Sequence, residues 1–517
     1  MDLRCTSVGL TELGALAPRA KSSISMNDQH EASPQVEAEH DREVQPVDRE
    51  EPPRIGFPVV GIGASAGGLE AFFEFFDAVP EKSGMAYVLV QHLPLDRDSM
   101  LVPLLAKHTT MPVLEIDDGM PIEVDHVYVF RPGHGATVHQ GLLHLGPGPV
   151  EHPNNRPIDD FFRSLAEEQR ERAICIVMSG MGTNGAEGSR MVSAVGGLCV
   201  AQDPESAKFP SMPHRLIAQG NADFVLRPRD MPQALLRYAR HPYARGTDEP
   251  LRPGTPESDR VDEILGVLRA RTKRDFTGYK PPTVVRRIRR RMGVLQVSTL
   301  EAYAHVLRKN TSEANALADD ILIHVTGFFR DPEAWDSLRT NVVEPLVASR
   351  PDGAAIRCWV TACATGEEAY SLAILLDEAA SASGKRFDIK VFATDMAHRA
   401  LRHARAGIYA NGIDMDIAPA RLERYFVKDE GVYRVNATLR AMVVFAPQNV
   451  LQDPPFSRLD ICSCRNLLIY LEPSTQSRLL SLLHFGLQPG GTLFLGSSET
   501  PGNEEMFEPI DRRWRIY

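Results

Sequence analysis

The chain alternates between short, unbroken apolar runs and longer stretches in which apolar residues recur every three or four positions. From Phe57 to about Tyr243, FPVVGIGAS reads as a buried strand running into a glycine-rich turn. LEAFFEFFDAV behind it has helical spacing. AYVLVQHL, AICIVMSG and GGLCVAQ are further strands, the last two separated by a helical stretch. Such strand–helix alternation predicts a parallel α/β sheet. Residues 241–259, HPYARGTDEPLRPGTPESD, are rich in Pro, Gly and charge and predict a linker. The period then changes: between 260 and 325, VDEILGVLRART, PTVVRRIRRRMGVL and STLEAYAHVLRKN read as helices without strands. From 355 to 517 the α/β pattern returns, with IRCWVTACAT, the helix GEEAYSLAILLDEAA, and the strands DIKVFATD, LDICSC and GGTLFLGSS. No internal repeat links the two α/β parts.

With 517 residues, 43% hydrophobic and 24% charged, the chain has material for several globular cores. No run of eighteen apolar residues occurs, so no membrane span or insertion is expected. The first twenty residues lack the apolar segment of a secretory signal, and a cytoplasmic location is expected. Six of the seven cysteines (Cys175, Cys199, Cys358, Cys363, Cys462 and Cys464) lie in apolar, strand-like runs, which suits reduced, buried thiols. Cys462 and Cys464 read as two residues on one face of a buried strand; no paired knuckle accompanies them, and no metal is expected. The net charge of −11 argues against general nucleic-acid binding. Its distribution is uneven. Residues 1–52 hold eleven acids against five bases with little apolar periodicity, the pattern of a disordered acidic tail. Residues 269–291 hold ten Lys or Arg against the single Asp275. Within them Arg286, Arg287, Arg289, Arg290 and Arg291 surround an apolar stripe of Val284, Val285 and Ile288. Composition alone reads this as a solvated basic helix.

Two places carry chemistry. Gly63-Ala64-Ser65-Ala66-Gly67 fits G-x-S-x-G, in which a serine at a tight strand-to-helix turn presents its hydroxyl and nearby amides can stabilise an oxyanion. Serine needs a base within reach. His92 ends the next strand, and carboxyl ends of neighbouring parallel strands meet on one edge. Two other readings stand beside this one. Gly61-x-Gly63 with Gly67-Gly68 could cradle a dinucleotide phosphate, although the usual ribose-binding acid is replaced by His92; or the turn is structural only. The stretch VVGIGASAGGLEA, with YVLVQHLPLDRDSML, VYVFRPGHGATV, RPIDDFFRSLAE, MSGMGTNGAEG and GGLCVAQDPESAKFPSMP, resembles the catalytic domain of CheB-type chemotaxis methylesterases over roughly 57–240. The resemblance implies Ser65 as nucleophile and His92 as general base, with Asn184 at the place of the triad acid. A neutral amide there cannot favour the imidazolium, and in a serine protease the same exchange costs about four orders of magnitude. Three outcomes stay open: a weak esterase, substitution by Asp96, Asp98, Asp159, Asp160 or Asp203, or a domain that only binds. The Gly180-Met181-Gly182 turn lines the oxyanion site or is a plain loop. The family often places a phosphorylatable receiver ahead of the esterase; the acidic stretch before Phe57 is not receiver-sized, so such gating within this chain is not expected.

In the second place, WVTACATGEEAYSLAI reads as a strand, a small-residue turn of Ala364, Thr365 and Gly366, then a helix opening with Glu367 and Glu368. Acids there suit the helix dipole and are the wrong sign for phosphate. They tolerate a sulfonium cation. Asp395 ends the next strand, where a carboxylate can take ribose hydroxyls. This region, with PQNVLQDPPFSRLDICSCRNLLIYLEPSTQSRLL, LQPGGTLFLGSSE and the upstream HVTGFFRDPEAW, resembles the CheR-type receptor methyltransferases over about 260–517. The resemblance implies S-adenosyl-L-methionine as cofactor, with contacts from Thr326, Arg330, Glu367, Asp395, Asn449, Val450, Arg465 and Asn466. It departs from the family's pattern at His324, Ala369 and Val450. Tyr470 lies near the transferred methyl or packs in the interior. The helical domain of that family contacts an acidic receptor helix, which makes Arg286 and Arg290 candidates for docking.

The expected architecture is therefore α/β throughout its two large parts. It comprises a disordered acidic tail (1–52), a doubly wound parallel-sheet esterase domain (53–243), a linker (244–259), a small all-helical domain (260–327) and a Rossmann-like adenosylmethionine-dependent methyltransferase domain (328–517). The expected function is methylation of glutamate side chains of chemoreceptor-like proteins through their acidic helical methylation region, opposed by hydrolysis of the glutamate methyl esters, within a histidine-kinase signalling pathway. Two alternatives stay open: an active methyltransferase joined to an impaired esterase-like binding module, and a general serine hydrolase fused to a small-molecule methyltransferase.

Overall fold

The computed structural model describes residues 55–91, 100–146, 156–246, 251–323, 325–429, 432–502 and 506–517. The expected acidic tail, His92, Asp96, Asp98 and His324 lie outside the described residues.

The first α/β part is a seven-stranded, all-parallel sheet. Its order is Phe224–Leu226, Leu198–Gln202, Ala173–Val177, Val59–Ala64, Ala86–Gln91, Val127–Val129, Val113–Glu115. The central strands are apolar along their whole length because helices cover both faces. Gly68–Phe76 and Met231–Ala239 pack on one side; Pro157–Gln169, Ala186–Ala194 and Ser211–Gln219 pack on the other. Helix Gly68–Phe76 turns Ala71, Phe72, Phe75 and Phe76 inward and Glu70 and Glu74 outward. Each buried Phe contributes roughly 1.5–3 kcal/mol. The helix ends at Phe76, three residues short of the predicted Val79. A small antiparallel sheet of Met120–Pro121, Leu142–Gly146 and Gly135–His139 lies outside the parallel one.

The predicted linker is only partly one. Pro242–Arg245 forms a helical turn in which Tyr243 and Ala244 are buried, and the Tyr243 hydroxyl donates to Gly196 O at 3.0 Å. An aromatic anchor inside a Pro- and Gly-rich stretch is invisible to composition. Four helices follow: Pro256–Thr272, Pro281–Leu295, Leu300–Lys309 and Thr311–Ile321. Thr255, Thr299 and Asn310 start three of them by accepting a backbone N–H two or three residues into the helix.

The second α/β part has five parallel strands ordered Val443–Pro447, Asp388–Asp395, Ala355–Thr361, Leu459–Cys464, Leu487–Leu495. Residue 517 returns antiparallel to the last, with Leu493 and Tyr517 exchanging backbone bonds of 2.8 and 2.9 Å. Ile408–Ala410, Val432–Val435 and Phe426–Asp429 make a separate three-stranded antiparallel sheet. One face of the five-stranded sheet packs on helix Glu367–Ser383; the other shares a core with the four-helix region through Trp359, Cys462, Cys464 and Leu468. Among the described residues, no helix is long and apolar enough to cross a membrane.

Candidate active sites

Strand Val59–Ala64 pairs with Ala86–Gln91 on one side and Ala173–Val177 on the other, so chain direction around the sheet reverses beside it. Such a reversal opens a crevice at the carboxyl ends of the strands, and Ser65 stands there. Ser65 N donates to Ser179 O (3.0 Å), which ties the serine turn to the end of the neighbouring strand. Ser179 is buried: its N–H donates to Gln202 Oε1 (2.8 Å), its hydroxyl donates to Ala66 O (2.9 Å) and accepts from Phe209 N (3.0 Å). Left-handed backbone falls at Gly67 (φ 71°) and not at Ser65. A Cβ on Gly67 would stand 2.8 Å from Lys208 Cβ and 2.9 Å from Ser179 Oγ, so only glycine fits. Gly61 and Gly63 serve packing instead. Space for a side chain there is filled by Phe161, Phe162 and Ile158 of the helix Pro157–Gln169, which leaves no cradle for a dinucleotide.

The SGMGTNG loop approaches the serine through Gly180, where an added Cβ would collide with Met212 Sδ and lie 3.1 Å from Ser65 Cβ. Gly180 N donates to Phe209 O (2.9 Å), so that amide is committed to the segment before helix Ser211–Gln219. Met181 is exposed. Asn184 Oδ1 accepts from Asp159 N (3.2 Å) in the first turn of Pro157–Gln169. Asp159 is itself buried: Oδ1 accepts from Gly188 N (2.7 Å) and Oδ2 faces Arg156 Nε (3.0 Å). Burial pushes its carboxyl up from the ordinary range, against the pull of Arg156. Asp203 caps the turn Pro204–Ser206 through Glu205 N and stands 3.8 Å from Arg227. Asp160 lies 3.7 Å from Arg163 at the surface. Asp159 and Asp203 thus have structural employment.

The second sheet reverses direction between Ala355–Thr361 and Leu459–Cys464. A cavity opens at these carboxyl ends, the place where open parallel sheets bind ligands. Thr326, Arg330, Asp395, Asn449, Val450, Arg465 and Asn466 line it together with Glu368, Tyr279 and Tyr470. Glu367 does not: its carboxylate accepts from Thr365 Oγ1 (2.8 and 2.7 Å) and faces a separate cleft. Adjacent helical positions point about 100° apart, so only one of the two acids can face inward. Glu368 is the one, accepting from Ser463 Oγ at 2.7 Å. Burial pushes its carboxyl up, and Arg465 opposes the rise. Asp395 closes the next wall, taking Ala364 N on Oδ2 (2.9 Å) and Ala397 N on Oδ1 (2.7 Å). A carboxylate has about four acceptor sites, so these bonds orient it without exhausting it. The turn between these acids holds Ala362 (φ 49°) and Ala364 (φ 46°) in left-handed backbone, strain that a ligand-binding turn commonly stores.

Residues 325–331 roof the cavity. Phe329 N donates to Ser371 Oγ (3.0 Å), Arg330 Nη1 to Val325 O (2.8 Å), and Trp335 Nε1 to Arg330 O (3.0 Å). Arg465 Nη2 reaches Arg330 O (3.0 Å) and Asp331 Oδ2 (2.7 Å), its guanidinium stacked 4.6 Å from the Phe494 ring. Glu499, buried and not anticipated from sequence, fixes Asn466 by accepting its N–H at 2.8 Å. No sequence signal marks that acid: its partners are backbone N–H groups, Gly496 nearby and Asn466 and Ile469 about thirty residues away.

The basic helix corrects an expectation. Arg287 and Arg290 are each 1% exposed. Arg287 donates to Ser193 O (3.0 Å) and Ala194 O; Arg290 donates to Gly197 O (2.9 Å) and faces Asp223 (2.7 Å) and Asp320 (2.5 Å). Arg291 pairs with Glu313 (2.6 Å) and Arg289 with Glu257 (2.8 Å). Two cations thereby cap the carboxyl end of helix Ala186–Ala194 in the serine domain, where the dipole favours them. Arg290 is not available to dock a receptor, and the helix is neither solvated nor an open basic face. Arg286 is half-buried.

Residues 60–235 match the family model for CheB methylesterase, 260–322 that for the CheR methyltransferase all-alpha domain, and 324–516 that for the CheR methyltransferase SAM binding domain. An uncharacterized 104.1 kDa protein of Rhodobacter capsulatus is 37% identical over 438 residues, 81% of this chain and 46% of that protein. The chain thus spans about half the length of that relative. The chemotaxis protein methyltransferase of Escherichia coli (strain K12) is 32% identical over 272 residues, half of this chain and 86% of that protein. The crystal structure of the Thermotoga maritima CheB methylesterase catalytic domain is 28% identical, covering 35% of this chain and 98% of that one with a TM-score of 0.33.

Proposed function

The chain belongs to the CheR family of chemotaxis methyltransferases, with a CheB methylesterase domain ahead of it, and from this premise we propose that it methylates glutamate side chains of chemoreceptor-like proteins and hydrolyses the resulting esters. The observation that carries the methyltransferase half is a cavity at the sheet's reversal point walled by two carboxylates, Glu368 and Asp395, alongside Arg330 and Arg465. That donor set fits a cationic nucleoside. Asp395 would hold the ribose and Glu368 the positively charged end, with Thr326, Arg330, Asn449, Val450, Arg465 and Asn466 completing the contacts. When bound, adenosylmethionine supplies an electrophilic methyl on sulfur. A glutamate carboxylate, with an ordinary pKa of about 4.3, is already anionic and needs no base to accept it. The chain's work is then to orient the carboxylate and exclude water. Tyr470, whose hydroxyl burial keeps protonated, stands in the cavity wall as a neutral donor.

In the esterase half, Ser65 is the nucleophile toward the ester carbonyl and His92 the base that takes its proton and returns it to departing methanol; water then releases the free glutamate. Asn184 at the acid's place makes this hydrolysis slow. A second reading, an esterase-like module that binds without turnover, is favoured by the same amide. It receives support from the Asn184 Oδ1 contact to a helix N-terminus, which gives the residue structural work. The deciding experiment incubates the full chain with labelled adenosylmethionine and a receptor signalling fragment, removes the cofactor, and follows methanol release. Labelled receptor with slow, Ser65-dependent release is expected. Label without release supports the binding module; no label overturns the methyltransferase assignment.

A further inference from the structure

The serine domain reaches the roof of the methyltransferase cavity through one side chain. Arg190 lies on the helix Ala186–Ala194, which begins immediately after the Asn184-Gly185 corner, and its side chain is 17% exposed. Nη2 donates to Thr326 O (2.6 Å) and to Glu187 Oε1 (2.5 Å). Nη1 lies 3.3 Å from Thr365 Oγ1 and 3.4 Å from Glu367 Oε1. Thr326 belongs to the roof; Thr365 and Glu367 lie outside the cavity, on the strained turn and helix start whose Ala362, Ala364 and Glu368 line the opposite wall. A single guanidinium therefore spans two walls of a cavity whose contents it does not touch.

We infer that Arg190 is a positioning residue for adenosylmethionine: from the esterase side it holds residues 325–326 against the Ala362–Gly366 turn and so sets cofactor affinity in the neighbouring domain. The inference rests on the methyltransferase reading above. Its physical basis is geometric. The roof's later part is fixed from within by Ser371 and Arg465, whereas Val325 and Thr326 are held by guanidiniums, Arg330 on the first carbonyl and Arg190 on the second. Only arginine, with a planar fork of five donors, reaches a backbone carbonyl, a hydroxyl and two carboxylates at once. Removing it frees the start of the roof and leaves Glu367 with Thr365 alone among the contacts described. A charge-assisted hydrogen bond of this kind corresponds to roughly a tenfold change in affinity or more.

The test is calorimetry of the full chain with adenosylmethionine and with its demethylated product, together with methyl-transfer kinetics. Arg190→Ala should weaken binding of both about tenfold and raise KM for adenosylmethionine while kcat moves less than about twofold. Arg190→Lys, which keeps the charge and loses the fork, should recover only part. Arg399→Ala is the control. Arg399 also crosses between the domains, donating to Ala218 O at 2.7 Å, yet it touches neither cavity wall. Amide hydrogen exchange over residues 325–331 should quicken in Arg190→Ala and not in Arg399→Ala, a readout that remains informative even if the alanine variant is less stable. Unchanged affinity and exchange in Arg190→Ala, or equal losses in Arg399→Ala, would overturn the inference while leaving the methyltransferase reading intact. Absence of binding by the unsubstituted chain would remove that reading, and this inference with it.

Discussion

Asn184 poses its question at the scale of single atoms. Its Oδ1 accepts one backbone N–H at the start of Pro157–Gln169, a duty that a carboxylate performs equally well because the helix dipole favours negative charge there by about 0.3–1 kcal/mol. Asn184→Asp is therefore expected to leave the thermal midpoint within a few degrees while raising methanol release from a methylated receptor fragment at least tenfold, an effect of about 1.4 kcal/mol on the barrier. An unchanged release rate would remove Asn184 from the proposed triad. Residue chemistry was unevenly legible. Ser65, Asp395 and Arg465 sit at strand ends, where an apolar run breaking into polar residues announces a site. Glu368 was legible as one of a pair, but which acid faces inward depends on helix phase, and only the family resemblance singled one out, Glu367. Arg190 was legible only as a helix-surface partner of Glu187, since its partners in the second part lie more than 130 residues away.

At the scale of elements, glycines decide how closely two helices cross. Gly188, on Ala186–Ala194, packs against Pro157–Gln169 so tightly that an added Cβ would meet Phe162 Cβ at 2.6 Å and Asp159 O at 2.7 Å. Because a backbone carbonyl cannot swing aside, Gly188→Ala should force the helices apart and cost about 1–3 kcal/mol. It should also disturb the Asp159–Gly188 bond and the Asn184 contact beside it. Denaturant unfolding checks the first effect and methanol release the second; full stability in the variant would show that the crossing is looser than drawn. The central strands were readable as unbroken apolar runs, and the long helices because their three-to-four-residue period survives in the apolar pattern. The short antiparallel sheets were not, since strands of two to five half-exposed residues carry too few alternations to register. Helix Pro242–Arg245 hid behind its proline and glycine neighbours, with Tyr243 as the one apolar clue.

At the scale of the whole molecule, the buried Arg290 cluster joins the serine domain to the helical domain. It places one guanidinium between Asp223 of the first and Asp320 of the second. Arg290→Ala would strip two buried carboxylates of their closest cation, leaving Asp223 with Arg291 at 3.8 Å, a loss of about 3–5 kcal/mol. Arg290→Ala with Asp223→Ala and Asp320→Ala should recover much of it, because the uncompensated charges go together. Thermal unfolding of the two variants tests this, and equal midpoints would contradict it. Composition correctly marked residues 269–291 as unusual. It could not tell a basic surface from a basic seam, since the neutralising acids come from elsewhere in the chain. The six described cysteines add a consequence of another kind. All are buried and unpaired, and burial pushes the thiols of Cys199, Cys358, Cys363, Cys462 and Cys464 upward. Since only a solvent-reached thiolate reacts, alkylation becomes a clock for local opening, read peptide by peptide in a mass spectrometer. Cys175 and Cys199 time the serine domain, and Cys358, Cys462 and Cys464 the second sheet. Cys363, set between Ala362 and Ala364 in the cavity wall, should tick more slowly when that cavity is filled, while Cys175 keeps its pace.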